Sequence, residues 1–157
     1  MTQVASVACD SGSAGSPTAS AASPAPVLIT TDDGLAAALQ ALRSAPTVGL
    51  DCETTGLDPH RDRGRLIQLA APGAVYLVDC FRVDPAPLAA LLAAGPRFVG
   101  HNLKFDLQFL LALGLPVPKG DRLFDTMLAA QLLGAGTAEG YPNRCGLADV
   151  AERFLGR

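Results

Sequence analysis

"TVGLDCETTGLDP", residues 47–59, decides how the rest of the chain is read. In a β-strand Val48, Leu50 and Cys52 face one way, and Gly49, Asp51 and Glu53 face the other. One face is apolar; the other ends in two carboxylates about 7 Å apart along the strand. A strand end emerging into solvent carries acids for no further reason, and for an arbitrary D-x-E that is the commoner explanation. Two features weigh against it here. Before the acids the strand is apolar on both sides of its register, as central strands are. Ligand sites in open sheets also lie beyond the carboxyl ends of strands. Paired carboxylates there suit a hard cation such as Mg²⁺, which prefers oxygen ligands, keeps several waters and leaves room for a phosphate.

Working outward, "VLIT" (27–30) reads as a short strand. "TDDGLAAALQALRS" reads as a helix capped by Thr31 or Asp32, with Leu35, Leu39 and Leu42 on one face. "RLIQLAAPGAVYLVDC" predicts a hairpin, Leu66–Ala70 and Val75–Asp79, turning at Pro72 and Gly73. "LAALLAAG" is a short helix stopped by Gly95 and Pro96, and "RFVGH" is a brief strand. "NLKFDLQFLLALG" predicts a helix from Asn102 to Leu113 with Gly114 as its stop. Further helices follow over about Asp125–Leu133 and in "LADVAERFLG". Strands come first as a meander and then alternate with helices, the order of an α/β sheet with helices packed on it.

The 157 residues suffice for one domain with a real core, and 49% apolar with 17% charged residues describes a globular protein. Residues 1–26 are rich in Ser, Ala, Gly and Pro and are expected to be a disordered tail, leaving 27–157 as the domain. The net charge of −3 provides no basic field that would hold nucleic acid by itself, so local features or metal ions must do so. Cys9, Cys52, Cys80 and Cys145 lack metal-site spacing and read as reduced thiols of a cytoplasmic protein. No basic leader precedes Arg43 and no apolar run is long enough for a span, so no membrane partner is expected. "GAGTAEG" (134–140) follows a helix instead of a strand and lacks the spacing of a nucleotide loop. His60 and His101 read as surface or loop residues, and a serine-histidine hydrolase finds no support.

A third acid, Asp106, stands four residues after Asn102, on one face of a helix's first turns. Helix chemistry alone accounts for both: Asn is a good N-cap, and an acid in the first turn suits the helix dipole.

With "VGLDCETTGLDP" and "FVGHNLKFDLQFL" in one chain, residues 27–157 resemble the DEDD superfamily of 3′-to-5′ exonucleases. The nearest branches are the proofreading domain of family A DNA polymerases and the ribonuclease D-type enzymes. Asp51 and Glu53 match the first motif, D-x-E; Asn102, Phe105 and Asp106 match the second, N-x-x-[FY]-D. "RLFDTMLAAQLL" and "LADVAERFLG" are similar to the polymerase-type branch. The resemblance implies an α/β ribonuclease H-like fold, a mixed sheet flanked by helices. It implies two divalent cations, Mg²⁺ or Mn²⁺, held by Asp51, Glu53, Asp106 and a fourth acid. It further implies substrate contacts from Thr54, Asn102 and Phe105, and release of nucleoside 5′-monophosphates from a nucleic-acid 3′ end, single-stranded DNA ahead of RNA.

One motif departs from the family pattern. The third should read Y-x-x-x-D or H-x-x-x-x-D, yet Tyr141 is followed four residues later by Cys145, and His101 with Asp106 falls inside the second motif. Asp149 and Glu152 have no distinguishing spacing and are assigned no role. The expectation is a domain incomplete at its C-terminal end, with little activity unless the missing helix, or a polymerase partner, is supplied. A non-catalytic remnant that binds nucleic acid or a protein is the competing reading, and a general α/β domain with a polar strand end is the third.

Overall fold

The computed structural model describes residues 24–136 and 145–156. Residues 1–23 of the expected tail, most of the glycine-rich loop and Tyr141 lie outside the described residues. β2 (Thr47–Thr54) lies within a six-stranded mixed sheet whose other members are β1 (Pro26–Ile29), β3 (Gly64–Ala71), β4 (Ala74–Asp79), β5 (Arg97–Gly100) and β6 (Leu123–Asp125). Their order is β1-β4-β3-β2-β5-β6. The expected hairpin is β3 with β4, antiparallel from Leu66↔Asp79 to Ala71↔Ala74, and Gly73 takes the left-handed φ of 79° that its turn demands. β2 runs antiparallel to β3 and parallel to β5, and β5 runs parallel to β6.

The alternation in β2 sorts its side chains as expected. Val48, Leu50 and Cys52 are buried in one core with Ile67, Leu69, Val78 and Phe98 from neighbouring strands. Leu35, Leu39 and Leu42 of α1 (Asp32–Leu42), Leu88, Leu91 and Leu92 of α2 (Leu88–Ala94), and Leu103 and Leu110 of α3 (Leu103–Ala112) complete that core. Thr31 caps α1, its side chain accepting from the Gly34 amide at 3.2 Å. Asp51 and Glu53 are exposed on the opposite side of the strand.

The differences from the sequence reading that bear on the site lie in β1, α4 and β6. β1 begins at Pro26, inside the expected tail, because a proline at the first residue of an edge strand sacrifices no ladder hydrogen bond. The helix expected over Asp125–Leu133 is α4 (Thr126–Gly134), with Asp125 as its cap. β6 was not expected at all: three residues carry no readable period, and only pairing with β5 makes them a strand.

A 3-10 turn, Gly120–Arg122, leads into β6 and aims Arg122 at the C-terminal end of α2. Its guanidinium donates to the carbonyls of Leu92, Ala93, Gly95 and Pro96. α2 has no basic residue in its last turn, so this remote side chain satisfies carbonyls that the helix leaves open. Arg122→Ala is expected to destabilise the domain by about 2 kcal/mol in urea unfolding, and Arg122→Lys to recover only part of that, since an ammonium cannot fork across several carbonyls.

Candidate active site

β2 delivers two carboxylates and α3 delivers the third. Asp51 and Glu53 leave the sheet together, and the β2–β3 register shifts between Glu53 and Thr54, bending the strand where its acids end. α3 packs on β2 and buries Asp106, whose relative exposure is 2%. An ionised acid at that depth requires partners. Asp106 Oδ1 is buried without a hydrogen bond.

The acids are close enough to perturb one another. Burial raises the Asp51 carboxyl above its ordinary value, and the charge of Glu53 raises it further. Asp106 is pushed up to about 6, first by burial and then by the charge of Asp51, while backbone amides and the Cys52 thiol partly offset the rise. The Cys52 thiol is pushed up in turn, by burial and then by Asp106 and Asp51, so it stays protonated as a hydrogen-bonding neighbour of Asp106. Among the described residues Cys52, Cys80 and Cys145 are all free.

The N-terminus of α3 is not capped as its sequence suggests. Asn102 occupies the cap position with a left-handed φ of 61°, yet its side chain makes no cap hydrogen bond. Asp125 does the capping instead, accepting from the amides of Asn102 at 3.1 Å and Leu103 at 2.8 Å as well as from Met127 and Leu128 of its own helix. One carboxylate thus anchors both α3 and α4, and the Asn102 side chain is left exposed. The capping explanation of Asn102 therefore fails, for a residue at φ 61° does not hold the extended backbone from which an N-cap side chain reaches its own helix.

The other candidates are placed less directly. Thr54 donates its hydroxyl hydrogen to the Gly56 carbonyl at 2.6 Å, which ties it to the turn after β2. Phe105 is half-buried, its ring 5.0 Å from that of Phe109. His101 is half-buried with Nδ1 2.9 Å from Thr126 Oγ1, and His60 is exposed in the loop after β2. Asp149 and Glu152 are exposed on α5 (Leu147–Leu155). Sequence reasoning missed Gln68, the lone polar residue in "LIQLAA", whose amide donates to Asp51 Oδ2 at 2.9 Å and Glu53 Oε1 at 3.1 Å. Its signal was a polar side chain on a strand with apolar neighbours, meaningful only once the hairpin register is known.

Among the described residues no three His, Cys, Asp or Glu side chains converge into a ready-made metal cluster. The donor set nonetheless fits a hard cation. It consists of carboxylate oxygens, the like charges raise Asp51 and Asp106, and Asp106 Oδ1 is a buried acceptor without a donor. A cation drawn toward Asp51 would relieve the repulsion among the acids.

Residues 26–157 match the 3′-5′ exonuclease family. The chain belongs to that family. DNA polymerase I of Aquifex aeolicus is 40% identical to this exonuclease-family chain over 107 residues, covering 68% of the chain and 17% of the polymerase. Ribonuclease D of Gluconacetobacter diazotrophicus is 37% identical over 130 residues, covering 80% of the chain and 32% of that protein. The crystal structure of Escherichia coli RNase D, an exoribonuclease involved in structured RNA processing, is similar with a TM-score of 0.69 at 30% identity, over 85% of this chain and 34% of that one. The exonuclease-family chain thus spans about a third or less of these relatives. The mixed sheet flanked by helices is the fold that RNase D shares. Among the described residues no helix is long and apolar enough to cross a membrane.

Proposed function

We propose that Asp51, Glu53 and Asp106, joined by a fourth acid from a further helix, hold two divalent cations, Mg²⁺ or Mn²⁺, and that the domain so completed hydrolyses the terminal phosphodiester at the 3′ end of single-stranded nucleic acid, releasing a nucleoside 5′-monophosphate, while these three acids alone give little activity. The observation that carries this reading is the buried, unpartnered Oδ1 of Asp106 in a carboxylate whose pKa burial, and then the charge of Asp51, raises. Bound there, divalent cations supply Lewis-acid stabilisation of in-line phosphoryl transfer at neutral pH.

The residues divide the remaining work. Asp51, whose charge couples to both Glu53 and Asp106, would be the central acid in holding the cations, as the family resemblance implies. Glu53, exposed at the strand end, would help hold the cation that activates the attacking water, as the resemblance implies. Asp106 holds its charge at fixed depth through α3. A water oxygen adds to phosphorus, the bond from phosphorus to the 3′ oxygen breaks, and a proton ends on that leaving oxygen. The exposed amide of Asn102 and the ring of Phe105 contact the terminal nucleotide, and Thr54 joins them if its hydroxyl turns away from Gly56.

Protons compete with the cations. Asp106, with a pKa of about 6, must be ionised to bind one. Mn²⁺ affinity is therefore expected to hold above about pH 7 and to fall about tenfold per unit below pH 6, more steeply once Asp51 also protonates, as read by Mn²⁺ titration from pH 5 to 8.

The decisive experiment follows Mn²⁺ broadening of amide resonances together with cleavage of 3′-labelled single-stranded DNA and RNA. Broadening centred on Asp51 and Asp106, with stepwise loss from the 3′ end that is slow until a segment supplying the fourth acid is added and that EDTA stops, is the expected result. Metal binding with neither polymer cut even after that segment is added favours the non-catalytic remnant. An unbroadened Asp51 region overturns the metal reading altogether.

A further inference from the structure

We infer that Gln68 is a positioning residue for the metal-binding carboxylates, holding Asp51 and Glu53 in one geometry before any cation arrives. The inference rests on the metal reading of those acids. It starts from the β2–β3 register, in which Gln68 is the direct cross-strand partner of Asp51 while Glu53 pairs with Leu66. A side chain opposite Asp51 lies diagonal to Glu53, within reach of a long residue and out of reach of a short one. Gln68 uses that reach: one Nε2 bonds both Asp51 Oδ2 and Glu53 Oε1.

The orientation of the amide follows from its partners. Ionised carboxylates only accept, so the NH₂ end must face them; the flipped amide would set its oxygen against two anions. Both N–H groups are then spent on the two acids. Each carboxylate keeps its remaining lone pairs for a cation.

Charge selects glutamine over the alternatives. A lysine or arginine at position 68 would also bridge the acids, but it would neutralise them and compete with the cation. An aliphatic residue would suit the strand, since Leu66 and Ala70 flank Gln68 on the same face, yet would leave the anions repelling each other without a donor. A neutral double donor orients the pair and leaves its charge intact. Outer hydrogen bonds of this kind tune metal ligands, and their loss costs roughly 10- to 100-fold in affinity.

The test compares wild type, Gln68→Met, which is close in volume but cannot donate, and Gln68→Asn, which keeps the amide on a shorter stem. Gln108→Met, on the exposed face of α3, is the control. Mn²⁺ affinity is expected to fall roughly 10- to 100-fold in Gln68→Met and by less in Gln68→Asn, with unfolding midpoints near wild type and the control unchanged. In wild type, ¹⁵N spectra should show both Gln68 side-chain protons shifted and protected without metal, and still so after Mg²⁺ is added. Equal or tighter Mn²⁺ binding by Gln68→Met, or release of the Gln68 protons by Mg²⁺, overturns the inference while leaving the metal site standing. Wild type without Asp51-dependent Mn²⁺ binding overturns both.

Discussion

Asp51→Ala is expected to lower Mn²⁺ affinity beyond measurement and to reduce any 3′-end hydrolysis by on the order of 10³-fold or more. The size follows from its place. Asp51 is the acid whose charge couples to both other carboxylates, so on the proposed reading its removal would weaken the hold on both cations and leave Glu53 and Asp106 as separate, weak sites. The fold should survive. Asp51 is exposed, and the residues that pack β2 into the core are Val48, Leu50 and Cys52 on its other face. Removing one of two neighbouring anions also relieves repulsion, so the unfolding midpoint of Asp51→Ala should match or slightly exceed wild type. A variant that unfolds, or one that still binds Mn²⁺ as wild type does, contradicts that central role.

Asp106→Asn should separate function from stability in opposite directions. Metal binding is lost with the charge, yet the metal-free domain becomes more stable at neutral pH. Folding raises the Asp106 pKa from an ordinary 3.8 to about 6, so above pH 6 the folded chain carries a buried anion that the unfolded chain holds in water at no cost. A raised pKa contributes stability below pH 3.8 and loses it as pH climbs through 6. Discounted for water reaching the site past Asp51, the gain for Asp106→Asn at pH 7.5 is on the order of 1–2 kcal/mol, vanishing near pH 4. The amide keeps the side chain's volume, and an unpaired neutral group costs less than an unpaired charge. Urea unfolding of wild type and variant at pH 4 and pH 7.5, without metal, reads both ends of that window. Added Mn²⁺ should then stabilise wild type and leave Asp106→Asn unmoved. Equal stability at both pH values would mean that Asp106 is not a strained anion.

These two acids also mark how far the sequence could be read. Alternation placed Asp51 and Glu53 on one face because the side-chain period of a strand is a local property. Asp106 was legible as a first-turn acid, but its burial was not. A helix pattern says which residues share a face and does not say that α3 lies across β2 at the depth where Asp106 meets Cys52. Local helix chemistry offers Asn102 as its own helix's cap, beside the substrate contact that the family resemblance implies. The left-handed backbone at that residue, with Asp125 supplying the cap from another helix, depends on a neighbour distant in sequence.

Gln68 and β6 show the same limit from two sides. The amide looks like an incidental polar residue until the hairpin register sets it opposite Asp51. Leu123–Asp125 looks like loop until β5 offers an edge to pair with. The sequence by itself determined the longer elements, the apolar face of β2 and the two acids at its end, since periodicity and turn chemistry act within a few residues. Only the tertiary structure decided that those acids share their field with a buried, half-satisfied Asp106 and are held by a bridging amide. Each of those contacts joins strands or helices whose proximity is set by packing the common core.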